Sequence, residues 1–161
     1  MMNTIRLNRP LVAVALVALA LATACGGDST APGSNPATET FAPSLGVDIA
    51  AMTKKSDALY VQDQVVGAGP VVANGQQLTV VYTGWLADGT QFDSDVGKPL
   101  ITFPLGEHAV IDGWDQGIAG MRVGGKRLLV IGSSLAYGAA GRPGIPPNAT
   151  LVFTVQIASA Q

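Results

Sequence analysis

The residue types that usually carry covalent or acid–base chemistry are sparse in this chain. The sequence has one histidine, His108, in the stretch GEHAV, and one cysteine, Cys25, near its N-terminus. The stretch GSSLA at residues 132–136 lacks the final glycine of a nucleophile elbow, so Ser134 is a poor candidate for a nucleophile. We expect His108 to be a surface residue, and we expect neither a catalytic triad nor a metal site.

Two further patterns imitate functional motifs. GMRVGGK at residues 120–126 matches the first seven positions of a phosphate-binding loop, but the eighth position, which should be Ser or Thr, is Arg127. The predicted order there is helix and then strand, which is the reverse of what that motif requires. Asp93 and Asp95 match no acid–base motif, and we expect Asp95 to lie in a solvated loop. We therefore predict no cofactor of any kind.

The remaining candidates for a site are aromatic and aliphatic side chains interleaved with one aspartate. From the residue types alone, these side chains could simply form a hydrophobic core, since large apolar residues are usually buried. The set comprises Tyr82, Phe92, Asp93, Val110, Ile111, Trp114, Tyr137 and Phe153.

Hydrophobic periodicity predicts the elements that position these side chains. Alternation in QQLTVVYTGWL and in LVFTVQI indicates strands at residues 76–86 and 151–157, and further strands are predicted at residues 60–66 and in KRLLVIG. Ile111, Trp114, Ile118 and Met121 recur at helical spacing, and Asp112 and Asp115 at the start suit the positive end of a helix dipole. Many strands around one short helix predict an α+β fold with an antiparallel sheet.

Three long stretches resemble the FKBP-type peptidyl-prolyl cis–trans isomerases, in order and at the right separations. They are VVYTGWLADGTQFDSD, FPLGEHAVIDGWDQGIAGMRVGGKR and AYGAAGRPGIPPNATLVFTVQI, and the resemblance covers nearly all of residues 60–157. The resemblance implies a five-stranded antiparallel sheet wrapped around one short helix, with a pocket between helix and sheet. It also implies an enzyme that accelerates the rotation of Xaa-Pro peptide bonds.

The resemblance assigns a role to each pocket residue. Trp114 would form the floor, while Asp93, Tyr137 and the backbone N–H of Ile111 would make the polar contacts, the last two with substrate carbonyls. Ile101 takes a position where the family often has an aromatic residue, and Leu135 one where it often has tyrosine, so the shape of the pocket should differ in detail. The walls would be Tyr82, Phe92, Ile101, Val110, Ile145 and Phe153.

The same resemblance implies proline-containing polypeptides as substrates and macrolide inhibitors of the family as further ligands. We expect Arg142, in the loop between Tyr137 and Phe153, to be solvated or to make a minor contact with a client protein. The sequence leaves two other functions open: a proline-binding module or holdase with little turnover, and a structural envelope lipoprotein with a degenerate site.

Residues 1–24 have the layout of a secretory signal peptide, with Arg6 and Arg9 before the apolar run LVAVALVALALA. A short buried helix and an uncleaved anchor are the alternatives. LATAC resembles the lipobox of bacterial lipoproteins, which implies that Cys25 is lipidated and that the protein is exported, attached to a membrane of the cell envelope and facing the periplasm.

Residues 26–44 are rich in Gly, Pro, Ser and Thr, so we predict a disordered tether over residues 25–56 and a folded domain over residues 57–161. Removing residues 1–24 with their two arginines changes the net charge from −2 to −4. A nucleic-acid-binding surface would be basic, so no nucleic acid is expected as a partner.

Overall fold

The computed structural model describes residues 33–161. The signal peptide and the lipidated Cys25 that the sequence predicts lie outside these residues. The described chain forms seven strands, one α-helix and four short 3₁₀-helices. None of the described helices is both long and apolar enough to span a membrane. The strands and the α-helix are β1 (Thr53–Ser56), β2 (Leu59–Val65), β3 (Gln77–Leu86), β4 (Gln91–Ser94), β5 (Ile101–Pro104), α1 (Asp112–Ile118), β6 (Lys126–Ile131) and β7 (Leu151–Ala160).

All strand pairs are antiparallel, in the order β1-β2-β6-β7-β3-β4, with β5 also paired to β3. The α+β class expected from the sequence is confirmed, but the sheet has seven strands instead of five. β5 pairs with β3 from Gln77 to Val80, and β4 pairs with it from Thr83 to Trp85. β7 pairs with the opposite edge of β3. The strands β4 and β5 therefore share the remaining edge and together fill one strand position. β1 is the additional strand.

The inner face of the sheet packs against α1. Leu129 and Ile131 of β6 and Phe153 of β7 are buried there with Trp114 of the helix. A side chain at Gly113 would collide with Ile131, so the helix can lie directly on β6 only because this position is glycine. This close contact fixes the helix over the sheet and hence the floor of the pocket described below.

The outer face of the sheet is covered by residues 33–52, hereafter the N-terminal segment. Tyr60, Leu128, Val130 and Val152 form a second apolar cluster with Met52. The side chains that pack against this cluster are Phe41, Leu45, Val47 and Ile49. The prediction of a disordered tether is therefore wrong for residues 33–56, because the segment carries apolar side chains that bury a face of the sheet.

Hydrogen bonds hold the N-terminal segment at several points. Ser34 and Ser133 are joined reciprocally, each backbone N–H donating to the hydroxyl of the other at 2.9 Å. The backbone N–H of Ala42 donates to the carbonyl of Ala87 at 2.8 Å. β1 then pairs with β2, so the folded part of the chain extends well before Asp57, where the sequence predicted its start.

Candidate active site

A pocket of about 410 Å³ opens between α1, strands β3 to β5 and the loop that follows β6. Every residue that the sequence predicted for the site contributes to its lining. Three lining residues were not predicted as site residues: Ala109, Arg142 and Pro143. The predicted residues in the lining are Tyr82, Phe92, Asp93, Ile101, Val110, Ile111, Trp114, Tyr137, Ile145 and Phe153.

The floor of the pocket is the indole of Trp114, in the first turn of α1. Its ring centroid lies 5.1 Å from that of Tyr82 and 5.3 Å from that of Phe153, with interplanar angles of 78° and 84°. Such edge-to-face contacts are favoured between aromatic rings because of their quadrupoles. The indole N–H is buried and has no hydrogen-bond partner among residues 33–161. The floor is thus an apolar surface built from interlocked rings.

The wall opposite the helix depends on a glycine in β3. The rings of Phe92 and Phe153 meet edge to face with centroids 5.5 Å apart. A Cβ at Gly84 would lie 2.7 Å from a ring carbon of each phenylalanine, which is closer than real contacts allow. Glycine at this position therefore permits the two rings to pack and form the wall.

Tyr82 and Asp93 form the polar pair on this side of the pocket. The Tyr82 hydroxyl donates to Oδ2 of Asp93 at 2.6 Å. Partial burial raises the pKa of Tyr82 well above its usual value, and the hydrogen bond to Asp93 raises it further. The proton consequently stays on the tyrosine, and its hydrogen bond fixes the exposed carboxylate of Asp93.

Asp95 is buried, so the prediction of a solvated loop at this position is wrong. Its side chain is 3% exposed, and Oδ1 accepts the backbone N–H of Tyr82 at 2.7 Å. The amide of Tyr82 lies in the part of β3 between the residues paired with β5 and those paired with β4. The carboxylate thus replaces a missing strand partner and fixes the backbone that carries Tyr82.

Tyr137 and Arg142 form the opposite rim, in the loop between β6 and β7. Nη1 of Arg142 donates to the Tyr137 hydroxyl at 2.9 Å, and the guanidinium carbon lies 4.9 Å from the centroid of the tyrosine ring. Arg142 is exposed, as expected, but it is part of the site and not merely solvated. The sequence could not show this contact, because it depends on the conformation of the loop.

The loop before α1 supplies a free backbone donor. Ile111 is the N-cap of the helix, and its N–H has no acceptor within residues 33–161. The carboxylate of Asp115 accepts the backbone N–H groups of Gly106 at 2.8 Å and His108 at 3.0 Å. Asp115 thereby fixes the loop that leads to Ile111.

One set of three metal-ligating side chains occurs in the described part of the chain, at His108, Asp112 and Asp115. Their ligand atoms lie within 4.8 Å of one another, outside the pocket lining. His108 is exposed and Nδ1 lies 2.9 Å from Oδ1 of Asp112, a hydrogen bond that raises the pKa of the histidine. These side chains hold one another and the loop, so they add nothing to the pocket's chemistry.

A family model for the FKBP-type peptidyl-prolyl cis-trans isomerases matches residues 69–158. This stretch is more than half of the chain and includes every predicted pocket residue. The chain belongs to this family. The enzyme class that the sequence predicted is thereby confirmed, while the individual roles of the pocket residues stay predictions.

Similar curated proteins support the membership of this domain in the FKBP family. The FK506-binding protein of Neisseria meningitidis serogroup A is 48% identical over 103 residues, which are 62% of this chain and 94% of that protein. FK506-binding protein 4 of Dictyostelium discoideum is 50% identical over 102 residues, but the chain spans only 28% of that protein.

Two solved structures are similar to the FKBP-type domain, each with 39% sequence identity. The crystal structure of AtFKBP13 has a TM-score of 0.61, covering 64% of this chain and 93% of that one. FkpA from Escherichia coli has a TM-score of 0.63, covering 68% of this chain and 51% of that one.

Proposed function

We propose that this domain accelerates rotation about Xaa-Pro bonds in exported proteins by holding the proline in its aromatic pocket. The observation that carries the proposal is a floor of interlocked rings under two groups suited to bind peptide carbonyls, the Tyr137 hydroxyl and the Ile111 N–H. The pocket lining includes no cysteine, serine or histidine, and rotation about a peptide bond requires none of these.

The reaction breaks no covalent σ bond. Rotation requires only the loss of amide resonance, behind a barrier of about 18–20 kcal/mol. An unassisted prolyl bond isomerises in roughly tens to hundreds of seconds, so a ten-thousandfold acceleration needs about 5.5 kcal/mol of selective stabilisation. Several weak contacts that are stronger for the twisted amide than for the planar one could supply this energy.

The apolar floor favours the twisted amide on electrostatic grounds. Twisting removes conjugation between the nitrogen and the carbonyl, so the transition state is less dipolar than either planar isomer. Moving it from water into an aromatic pocket consequently costs less than moving the planar amide. The proline ring would lie on Trp114, where Phe92 and Phe153 exclude water from one side.

The polar groups would orient the peptide instead of transferring protons. Tyr137 and the Ile111 N–H would donate to carbonyls flanking the proline, which holds the backbone while the bond rotates. Asp93 already accepts a hydrogen bond from the Tyr82 hydroxyl, so its carboxylate is fixed and suited to orient a neighbouring hydroxyl or a substrate amide.

Two further assignments belong to the proposal. The relatives are named FK506-binding proteins, which supports macrolides as ligands that compete with substrate for this pocket. Attachment through a lipidated Cys25, on the periplasmic side of a membrane, rests on the sequence pattern of residues 1–25. Mass spectrometry of the mature N-terminus tests it, since an unmodified terminus or a different cleavage site would refute lipidation.

The direct test of the function is a prolyl exchange assay. Residues 33–161 should accelerate cis-to-trans exchange of an Xaa-Pro peptide, and Trp114→Phe should reduce kcat/KM severalfold while the far-UV spectrum is retained. Absence of acceleration by the folded wild-type domain would refute the proposal. If that same domain prevented aggregation of an unfolded client, the holdase alternative would replace it.

A further inference from the structure

We propose that Arg142 is a positioning residue that presents the hydroxyl proton of Tyr137 to the substrate. The inference rests on the proposed function of the pocket and adds a residue that the sequence did not assign to the site. Arg142 would act through Tyr137 by occupying the acceptor side of its hydroxyl.

The donor inventory of the two side chains sets the direction of their hydrogen bond. A tyrosine hydroxyl has one proton to donate and lone pairs that accept, whereas a guanidinium has only donors. The 2.9 Å contact must therefore run from Arg142 to Tyr137. Within residues 33–161, no acceptor takes the hydroxyl proton of Tyr137. That proton is available to a substrate carbonyl.

The hydroxyl groups of the two pocket tyrosines thus have opposite hydrogen-bond roles within the protein. The Tyr82 hydroxyl uses its one proton in the hydrogen bond to Asp93, so towards a substrate it offers only lone pairs. Tyr137 accepts from Arg142, which leaves its proton free. Since hydrogen bonds polarise one another, a bond accepted from a cation strengthens the donor capacity of the hydroxyl that receives it. Of these two tyrosines, only Tyr137 has a hydroxyl proton available for a substrate carbonyl.

A tight turn sets the position of Arg142 relative to the pocket wall. The Ile145 N–H donates to the carbonyl of Arg142 at 2.8 Å, and the Arg142 N–H donates back at 2.9 Å. Pro143 and Gly144 occupy the central positions, and the φ of 83° at Gly144 is typical of a type II turn. Ile145 is buried in the core. The base of the arginine side chain is consequently fixed, although its guanidinium is exposed.

The guanidinium lies over the ring as well as beside the hydroxyl. The distance of 4.9 Å from its carbon to the ring centroid falls within the range of a cation–π contact. Two contacts from one planar group restrict the orientation of the phenol more than a single hydrogen bond would. A lysine could supply a charge here but not the same planar geometry.

A double-mutant cycle tests the inference on residues 33–161. Arg142→Met should lower kcat/KM for an Xaa-Pro peptide about fivefold, the equivalent of one hydrogen bond of about 1 kcal/mol. In the Tyr137→Phe background the same substitution should have almost no effect, because the hydroxyl is absent. Arg142→Lys should restore part of the loss. An equal loss in both backgrounds would overturn the inference.

Arg122→Met is the matched control, because it removes the same charge from another exposed arginine that lies outside the pocket lining. It should leave kcat/KM unchanged. A loss equal to that of Arg142→Met would mean that net charge and not the contact matters, which would overturn the inference.

A second readout does not depend on catalysis. The NMR shift of a ¹³C label at Cζ of Tyr137, the carbon bonded to the hydroxyl, should change in Arg142→Met and not in Arg122→Met. An unchanged shift in Arg142→Met would overturn the contact. A changed shift in a domain that shows no isomerase activity would support the contact and refute the proposed function, so the two failures can be distinguished.

Discussion

The two faces of the sheet bury similar side chains but have different tasks. Val152 and Phe153 are neighbours on β7, yet Val152 lies in the outer cluster and Phe153 in the wall of the pocket. The outer face is closed by the N-terminal segment, whereas the inner face is left partly open beside α1. We therefore expect that stability and substrate binding can be changed separately within one sheet.

The two faces of the sheet also differ in whether their polar groups have hydrogen-bond partners. On the outer side, the hydrogen bonds from Ser34 and Ala42 join the segment to the domain and have protein partners at both ends. On the inner side, the Trp114 indole N–H and the Ile111 N–H have no partner among the described residues. The outer side is thus satisfied within the protein, whereas the inner side leaves the Ile111 N–H available to a ligand. The Trp114 indole N–H is buried and is not accessible to one.

The greatest loss of stability is expected from deleting the N-terminal segment together with β1. A chain of residues 57–161 exposes the outer cluster and loses β1, so its free energy of unfolding should be about 2–4 kcal/mol lower than that of residues 33–161. Urea denaturation measures the difference. Per folded molecule, isomerase activity should be the same. Equal stability of the two chains would show that the segment does not hold the outer face.

Truncating one phenylalanine on each face sharpens the comparison. Phe92→Ala removes a ring from the pocket and should lower kcat/KM about tenfold, since an aromatic side chain that a bound substrate covers contributes more than about 1 kcal/mol to binding. Phe41→Ala is the matched control, because Phe41 is also half-buried but packs on the outer cluster. It should lower the urea midpoint and leave kcat/KM unchanged. The comparison fails if Phe41→Ala impairs turnover as much as Phe92→Ala.

The sequence predicted the inner face well and the outer face poorly. The pocket residues lie in long stretches that resemble one family, and their spacing places them on one side of β3, α1 and β7. The N-terminal segment has a composition typical of disorder, and its few apolar residues are widely spaced. A signal was nevertheless present in the run RLLVI of β6, because continuous apolar strands are usually covered on both faces.

The details of the site depended on contacts that spacing cannot reveal. Asp95 is buried because an amide of β3 lacks a strand partner at that point, which follows from the division of the edge between β4 and β5. Arg142 reaches Tyr137 because a type II turn directs the chain back towards the pocket. The burial of Asp95 therefore depends on tertiary geometry. Pro143 and Gly144 do indicate the turn, but not that the Arg142 side chain reaches the Tyr137 hydroxyl.

Raising the pH above 10 should lower the free energy of unfolding, because Tyr82 resists ionisation in the folded protein. Its pKa in the folded protein is raised above the value of about 10 expected in the unfolded chain. The stabilisation that corresponds to this shift is present below pH 10 and is lost as the pH rises above it. The free energy of unfolding, measured in urea from pH 9 to 11, should therefore decline less in Tyr82→Phe than in the wild type. An identical decline in the two proteins would contradict the raised pKa of Tyr82.

The smallest expected effect concerns His108, outside the pocket. The hydrogen bond to Asp112 raises its pKa, so the contact stabilises the protein below about pH 6.5 and is lost as the pH rises through the raised value. Because the chain has one histidine, its NMR titration is unambiguous. Asp112→Asn should return the pKa towards 6.5. A pKa that does not respond would show that the pair is not formed in solution.

We propose that the inner face accelerates rotation about Xaa-Pro bonds without transferring a proton. The most direct test is the kcat/KM of residues 33–161 for an Xaa-Pro peptide, measured by exchange NMR in H₂O and in D₂O. We expect exchange far faster than the uncatalysed reaction and the same rate in both solvents. No acceleration, or a clearly slower rate in D₂O, would contradict it.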